Sequence, residues 1–470
     1  MKKLIVVLLC LLGIVYAEQV TVLAINDMHA NIDRLPQLAT FVKQEREEHP
    51  ELLLLSAGDN RTGNPYVDTG DVPGLQMIQL MNKLGFNASA YGNHEFDSGL
   101  EALRLCTEAA AFPFVCANVQ GKDGEDLPVV PYCFFERHGV RIGVMGLVET
   151  SQDGTPDVHP DRVTQLVFEH PFNVVRQYAF LREQCDVLIL LTHIGFGNDV
   201  KLAALFPEAD AIIGGHTHTR LENGHVENGV LIVQAERDVK YITRLSFDVE
   251  DGKMRSKKAE LVSLSGYAAD AEMQKAVEEV KNNPYMQRCI AHIQRDIPSR
   301  DSLGCLMADA QRAATGAQIA IVNRGNVRLN EFAAGPFKVE DCYRLDPFGN
   351  KIVLLQATGR ELIAFLNAIP SVDPHGAPSV AGMRYKARKS AQKRTPMYIS
   401  EACLEDGTPI VDDAMYTVAV NSYLLKTVHP VPVDSGKTLD IDGATSLLLY
   451  LDNKPVNDYS SVSRMEIIEE

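Results

Sequence analysis

The chain has 470 residues, 46% hydrophobic and 23% charged, with a formal net charge of −17. That length exceeds what one hydrophobic core serves, so two or three domains are expected in a soluble globular protein. The acidic balance argues against DNA or anionic lipid as the main partner, while leaving room for a local cationic patch that holds a phosphate ester.

Residues 1–17 read as a secretion signal, with Lys2 and Lys3, an apolar run over 4–15, and Ala17 before Glu18. The run is short for a bilayer span and lacks a stop-transfer flank. Export to a periplasmic or extracellular location is therefore expected, without stable membrane insertion. Beyond the signal lie Cys106, Cys116, Cys133, Cys185, Cys289, Cys305, Cys342 and Cys403. None forms a CxxC pair, which argues against a zinc ribbon or a thioredoxin site; disulfides and buried free thiols both fit.

From residue 20 to about 250, short apolar runs alternate with helical patterns. "VTVLAI" (20–25) precedes a helix pattern at 36–48, and "LLLLSAG" (52–58) precedes one at 75–84 that Gly85 ends. "RIGVMGL" (141–147), "DVLILLT" (186–192), "DAIIGG" (210–215) and "GVLIVQA" (229–235) continue the series. Such near-continuous runs suit strands buried on both faces, which predicts layered α/β. Residues 268–283 predict one helix, capped by Asp270, striped by Met273, Val277 and Val280, and stopped by Pro284. It reads as an interdomain connector. The remainder mixes strands, "QIAIVN" (318–323), "IVLLQATG" (352–359) and "YTVAVN" (416–421), with a helix at 360–369. The basic stretch "YKARKSAQKR" (385–394) reads as a solvated hairpin or loop.

The apolar runs of the first domain end in one class of residue. "VLAIND" delivers Asp27, with His29 two residues on, and "LLLLSAGD" delivers Asp59. "YGNHEFDSG" (91–99) brings Asn93, His94, Glu95 and Asp97, "LILLTH" brings His193, and "AIIGGHTH" brings His216 and His218. Ligands bind beyond the carboxyl ends of strands in layered α/β folds, so these groups are expected on one rim. Charges at the ends of buried strands need compensation, and a pair of divalent cations supplies it. Oxygen and imidazole ligands without thiolate suit Zn²⁺, Mn²⁺ or Fe²⁺. Asp59, with two carboxylate oxygens, is the expected bridge. The H-E-x-x-H spacing is absent, and "SGKT" lacks the first glycine of a P-loop, Val431 standing there.

D-x-H, G-D, G-N-H-E, T-H and G-H-T-H in this order resemble the calcineurin-like metallophosphoesterases. "GNHEFD" and "GTPDV" (154–158) extend the likeness to the secreted 5′-nucleotidase family. The resemblance implies an α/β protein in three units. These are an N-terminal four-layer αββα sandwich (18–265), a connector helix (266–288) and a C-terminal α/β substrate-specificity domain (289–470). It implies two divalent metal ions, Zn²⁺ or Mn²⁺, one held by Asp27, His29, Asp59 and His218, the other by Asp59, Asn93, His193 and His216. His94 and Asp97 would form a catalytic dyad, Asp97 orienting the imidazole that contacts the phosphoryl group.

In the second domain, "NRGNVR" (323–328) resembles the family's N-x-G-G-x-R, and "DPFGN" (346–350) its base-stacking segment. "VNSYL" (420–424) occupies the place of a second aromatic. The implied substrate residues are Asn323, Gly325, Arg328, Phe348 and Tyr423, with Arg300 from "SRDSLGCLMADA" (299–310). Two departures stand out. Cys305 replaces an Asn, one residue being missing between Arg300 and Leu303. "LLKTVHPVPVDSGKTLDIDG" (424–443) stands where the family has Gly-Gly-Asp-Gly-Phe, whose Asp holds the ribose hydroxyls. The implied activity is hydrolysis of nucleoside 5′-monophosphates to nucleoside and phosphate, by water that the metals activate. Cleavage of 2′,3′-cyclic nucleotides or nucleotide sugars is the alternative within the family; a non-catalytic metal-binding surface protein is the alternative outside it. Expected partners are nucleotides or other small phosphate esters, not nucleic-acid polymers.

Overall fold

The computed structural model describes residues 18–469 apart from 126, 152–153, 373–375, 390–396 and 453. The signal segment 1–17 and positions 390–394 of the basic stretch lie outside the described residues.

Two six-stranded sheets form the first half of the chain. One runs, in spatial order, Lys253–Ser263, Tyr241–Glu250, Glu18–Ile25, Leu53–Ser56, Ala88–Ala90, Phe114–Val115. The other runs His225–Glu227, Val230–Val233, Ala211–Ile213, Val187–His193, Val140–Val148, Tyr132–Arg137. In the first sheet Glu18–Ile25 to Phe114–Val115 are parallel and the Tyr241–Glu250 side is antiparallel; in the second the central strands are parallel and both edges antiparallel. Alternate residues of the buried runs face opposite ways, as the two-residue pleat requires. Ile189 and Leu191 pack between the sheets with Val22, Leu55 and Ile213. Leu188 and Leu190 pack outward with Leu202 and Phe206 of the flanking helix segment. The outer face of the first sheet, Leu23, Ile25 and Leu54, is covered by apolar side chains of helices Leu35–Glu48, Leu75–Leu84 and Gly99–Ala109. The layers are thus helix, sheet, sheet, helix.

The hairpin of Tyr241–Glu250 and Lys253–Ser263 has no counterpart in the sequence reading. Its outer strand, KMRSKKAELVS, lies at the sheet edge, half exposed along its length. An edge strand needs no buried apolar run, and its lysines protect the open edge.

The connector helix spans Ala271–Lys281, and the Asp270 carboxylate accepts from the Met273 N–H at 2.9 Å. Pro284 does more than end it, since a second short helix, Pro284–Gln287, starts there with Asn283 as cap. Proline suits the first helical position, where no N–H partner is needed. Met273, Val277, Met286 and Ile290 belong to one apolar cluster that continues from the first-domain helices into the second domain.

The second domain centres on a five-stranded sheet in the order Ser379–Ala381, Ile319–Val322, Met415–Asn421, Lys351–Thr358, Lys437–Asp442. Ala320 and Val322 face Arg300–Thr315, while Ile319 and Ile321 face the helix Gly359–Val372. The basic stretch begins in the strand Met383–Lys389, which pairs with Tyr398–Leu404 as a hairpin. The eight described cysteines are all free. No helix among the described residues is long and apolar enough to cross a membrane.

The two sheets approach closely at Gly146. A Cβ placed there would lie 1.9 Å from the Val115 carbonyl oxygen, backbone against backbone. No rotamer change relieves that contact, so Gly146→Ala is expected to destabilise the protein by about 3 kcal/mol. A urea titration should show a lowered midpoint; an unchanged midpoint would mean that the layers are not this close.

Candidate active site

Five segments leave the carboxyl ends of parallel strands at the seam between the sheets. Asp27 and His29 follow Glu18–Ile25, Asp59 follows Leu53–Ser56, and Asn93, His94 and Asp97 follow Ala88–Ala90. His193 ends Val187–His193, and His216 and His218 follow Ala211–Ile213. The turns are strained. Asp27, His29, Asp59, His216 and His218 all have positive φ, from 45° at His29 to 77° at His216. Non-glycine residues are held there at about 1 kcal/mol or more each, and such strain gathers at functional sites.

Asp27 Oδ1 is where three imidazoles converge: His218 Nε2 at 3.3 Å, His193 Nε2 at 3.8 Å and His29 Nε2 at 3.9 Å. Asp59 turns Oδ2 to His193 Nε2 at 3.1 Å and to His94 Nε2 at 3.9 Å. Its Oδ1 accepts from the His94 backbone N–H at 2.9 Å. Three overlapping groups have the geometry to hold cations: Asp27–His29–His218, Asp27–Asp59–His193 and His29–Asp59–His94. Asn93 donates its amide to the Asp157 carbonyl at 3.1 Å, leaving Oδ1 3.1 Å from His216 Nδ1.

The donor chemistry fits metal ions. His193 is fully buried, and its Nδ1–H donates to the Ala57 carbonyl at 2.7 Å. Its Nε2, without a hydrogen-bond partner, then aims a lone pair at two carboxylates. His29 donates Nδ1–H to the Thr62 carbonyl at 3.2 Å and faces His218 Nε2 through its own Nε2 at 3.1 Å. Lone pairs opposed in this way repel unless a proton or a cation lies between them. Burial opposes a charge on His193, yet Asp59 and Asp27 overcome it and push its pKa up to about 10. Burial holds His29 well below its ordinary value, with the Arg328 charge adding, and holds His216 down at about 4. The site demands positive charge and keeps two imidazoles neutral for coordination.

His94 is different. Its Nδ1 lies 2.8 Å from Asp97 Oδ2, which also accepts from the Thr62 hydroxyl at 2.7 Å. Burial works against the imidazolium, but Asp59 and Asp97 prevail and raise its pKa to about 9. An imidazolium oriented by a carboxylate is a proton donor.

The six predicted second-domain residues, Arg300, Asn323, Gly325, Arg328, Phe348 and Tyr423, line one cavity of about 520 Å³ together with Asp59, Asn93 and His94. The Phe348 ring lies 5.9 Å from that of His94, tilted by 31°, and the Arg328 guanidinium lies 5.6 Å from the Phe348 centroid. Arg328 Nη2 comes to 3.5 Å from His29 Nδ1. Arg300 donates to Asn330 Oδ1 at 2.9 Å, and Asn323 accepts from the buried Asn421 amide at 2.8 Å. Tyr423 donates its hydroxyl to Asp157 Oδ1 at 2.7 Å, bridging the domains.

The sequence reading named Glu95 without giving it a role, and it did not single out several other residues of the site. Glu95 accepts from the backbone N–H of Asp59, Asn60 and Gly92 at 2.9, 2.9 and 2.6 Å. Its place inside G-N-H-E was the available signal. Asp199, fully buried, accepts from Thr192 Oγ1 at 2.7 Å and Gln234 Nε2 at 3.3 Å, and Gln234 also donates to the Gly215 carbonyl at 2.9 Å. Nothing local marks Asp199, which reads as an ordinary first-turn residue of Phe196–Leu205. Glu149 accepts from the Asp157 N–H. Asn326, Asn350, Arg162 and Arg237 also line the cavity.

Comparison with known proteins matches this build. The family described as calcineurin-like phosphoesterase covers residues 20–220, and that described as 5′-nucleotidase, C-terminal domain, covers 287–429. "Silent protein UshA(0)" of Salmonella typhimurium is 27% identical over 86% of this chain and 85% of its own length. The "trifunctional nucleotide phosphoesterase protein YfkN" of Bacillus subtilis is 28% identical over 86% of this chain, which spans 31% of that protein. The structure of a 5′-nucleotidase precursor from Thermus thermophilus superposes with a TM-score of 0.82, at 25% identity, over 96% of this chain and 100% of that one. Fold, ligand clusters and both domain matches agree, and the chain belongs to the metallophosphoesterases that join a calcineurin-like domain to a C-terminal 5′-nucleotidase-like domain, a family of metal-dependent hydrolases.

Proposed function

We propose that the chain is an exported phosphohydrolase that releases phosphate from nucleoside 5′-monophosphates, built in three units at 18–265, 266–288 and 289–470. The observation that carries it is the His94–Asp97 pair at 2.8 Å, set against the Asp–His clusters and facing second-domain residues across one cavity. Nucleotides are named for the YfkN and Thermus relatives, and export rests on the signal read at 1–17.

Asp27, His29, Asp59 and His218 would hold one divalent cation, and Asp59, Asn93, His193 and His216 the other. Bound there, Zn²⁺ or Mn²⁺ would draw charge from the phosphoryl oxygens and make water a nucleophile near neutral pH. His94 presents Nε2–H to a phosphoryl or leaving oxygen, and Asp97 keeps the ring protonated and aimed. Arg328, on the Nδ1 side of His29, adds a charged donor to the cavity wall. Phe348 gives a base a flat apolar face, with Tyr423 on the same cavity. Closure by the second domain limits water, which strengthens each of these interactions.

A second reading, cleavage of 2′,3′-cyclic nucleotides, is favoured by one observation. Among the described residues the cavity carboxylates are Asp59, Asp97 and Asp157, which already meet His193, His94 and Tyr423, and a cyclic ester has no free ribose diol for a carboxylate to hold. AMP, UMP, a 2′,3′-cyclic nucleotide, UDP-glucose and p-nitrophenyl phosphate, assayed with added Mn²⁺, separate the readings.

His94→Ala is expected to lower kcat/KM by about a thousandfold. Metal stoichiometry by elemental analysis should stay nearly intact; parallel loss of both would make His94 a ligand instead. Chelation is expected to abolish phosphate release and lower Tm, since the ions bind only the folded state, and Mn²⁺ or Zn²⁺ should restore both. Full turnover in a rigorously metal-free sample would refute the mechanism.

A further inference from the structure

The segment 236–239 follows the strand Val230–Val233 and carries one arginine in strained backbone. Glu236, Asp238 and Val239 have φ of 60°, 62° and 56°. Valine in that region is an outlier, because its branched Cβ crowds the carbonyl. The strain is imposed from the metal-ligand turns. Asn26 donates its amide to the Glu236 carbonyl at 2.7 Å, and the Asp238 N–H donates to the Asp27 carbonyl at 2.9 Å. What the arrangement fixes is Arg237, three-quarters buried and on the cavity wall.

Arg237 and Arg328 line the same cavity, where the charge of one works against that of the other. Arg328 has no carboxylate at ion-pair distance among the described residues. Arg237 has only its neighbour Asp238, at 3.2 Å from Nε, and Lys240 shares that carboxylate at 4.0 Å. Two guanidiniums on one cavity wall with a single carboxylate, Asp238, to offset them leave excess positive charge that an anionic group of a ligand would neutralise. Their place is outside the ligand cluster. Arg328 meets His29 at Nδ1, whereas the cluster lies on the Nε2 edge of that ring. A scissile phosphoryl group beside Asp59 and His94 would therefore leave the arginine pair free for a different group.

We propose that Arg237, with Arg328, receives a second anionic group of the substrate, so that this cavity prefers phosphate esters carrying another phosphate or a carboxylate. The proposal rests on the phosphohydrolase reading and narrows its substrate class. Strain at 236–239 serves to hold the guanidinium over the cavity instead of letting it point to solvent.

The test pairs substrates that differ by one anionic group: AMP against adenosine 3′,5′-bisphosphate, and glycerol 3-phosphate against 3-phosphoglycerate. The wild-type, metal-loaded enzyme is expected to favour the doubly anionic member by about tenfold in kcat/KM, the worth of one charge-assisted contact. The nucleotide pair reports a second phosphate and the glycerol pair a carboxylate. Arg237→Gln should bring the ratio near unity, mainly through KM, and Arg237→Lys should keep part of it. Calorimetric titration of adenosine 3′,5′-bisphosphate, with and without Mn²⁺, should show the same loss of affinity in Arg237→Gln. A wild type without preference, or an Arg237→Gln variant that loses equally on both members, overturns the proposal. If no ester is cleaved at all, the hydrolase reading falls, and the titrations alone decide whether the arginine pair binds the second anion.

Discussion

The Glu95 carboxylate is the fixed point of the site. Only 5% exposed, it accepts from three backbone N–H groups in two turns, and from the Asn60 side-chain amide at 3.1 Å. Buried N–H groups must be paired, and turns this tight offer them no ladder or helical partner. One side chain therefore satisfies the turn after Leu53–Ser56 and the turn after Ala88–Ala90 together. Asp59 and His94 sit on those two turns, so their separation is set by a shared anion. Gly92 makes the approach possible, since a Cβ there would meet Asp59 Oδ1 at 2.1 Å. Burial, with the Asp59 charge adding, raises the pKa of Glu95, and the N–H donors oppose that rise.

That anion is one of several. Asp27, Asp59, Glu149 and Asp199 lie buried around His193. They are not neutralised alike. Burial pushes Glu149 up to about 8 and Asp199 up to about 7, so near neutral pH the outer acids carry protons in proportion. Burial works the same way on Asp59, but the imidazoles of His193 and His94 win, and its carboxyl falls well below the usual range. The ionised Asp59 then faces imidazole nitrogens in a region of low dielectric, where a missing counter-charge is expensive. Divalent cations resolve all of these conflicts at once. Acid weakens that solution by a simple competition, because each imidazole that takes a proton ceases to be a ligand.

The candidate ligand cluster was legible because the chain writes its residues at strand ends. An apolar run that must be buried on both faces, closed by Asp or His, is costly without a purpose, and four such endings reinforce one another. The layered α/β class followed from the same runs. The edge hairpin 241–263 was not legible, because an edge strand carries polar residues without penalty. Asp199 and Glu149 act from behind the ligands, and their local sequence resembles any helix start or strand exit. Arg237 was hidden for another reason. Its role depends on the left-handed backbone of its neighbours, and nothing in "QAERDVK" announces a conformation that Asn26 and Asp27 impose from two hundred residues away.

Chemistry and selection come from different parts of this molecule. The strand-end turns of the first domain assemble a phosphoryl site that is indifferent to what the phosphate is attached to. The other wall, Arg328, Phe348 and Tyr423 of the second domain, is where the proposed reading puts the rest of the substrate. Arg237 breaks that division, since it comes from the first domain yet faces the second. Because Asp238 is tied to the Asp27 backbone, the arginine is registered against the metal-ligand cluster and not against the mobile end of a long side chain. A charge placed in this way measures the distance from the scissile phosphorus to a second anion, which a residue on the far wall could do only as accurately as the two domains are docked.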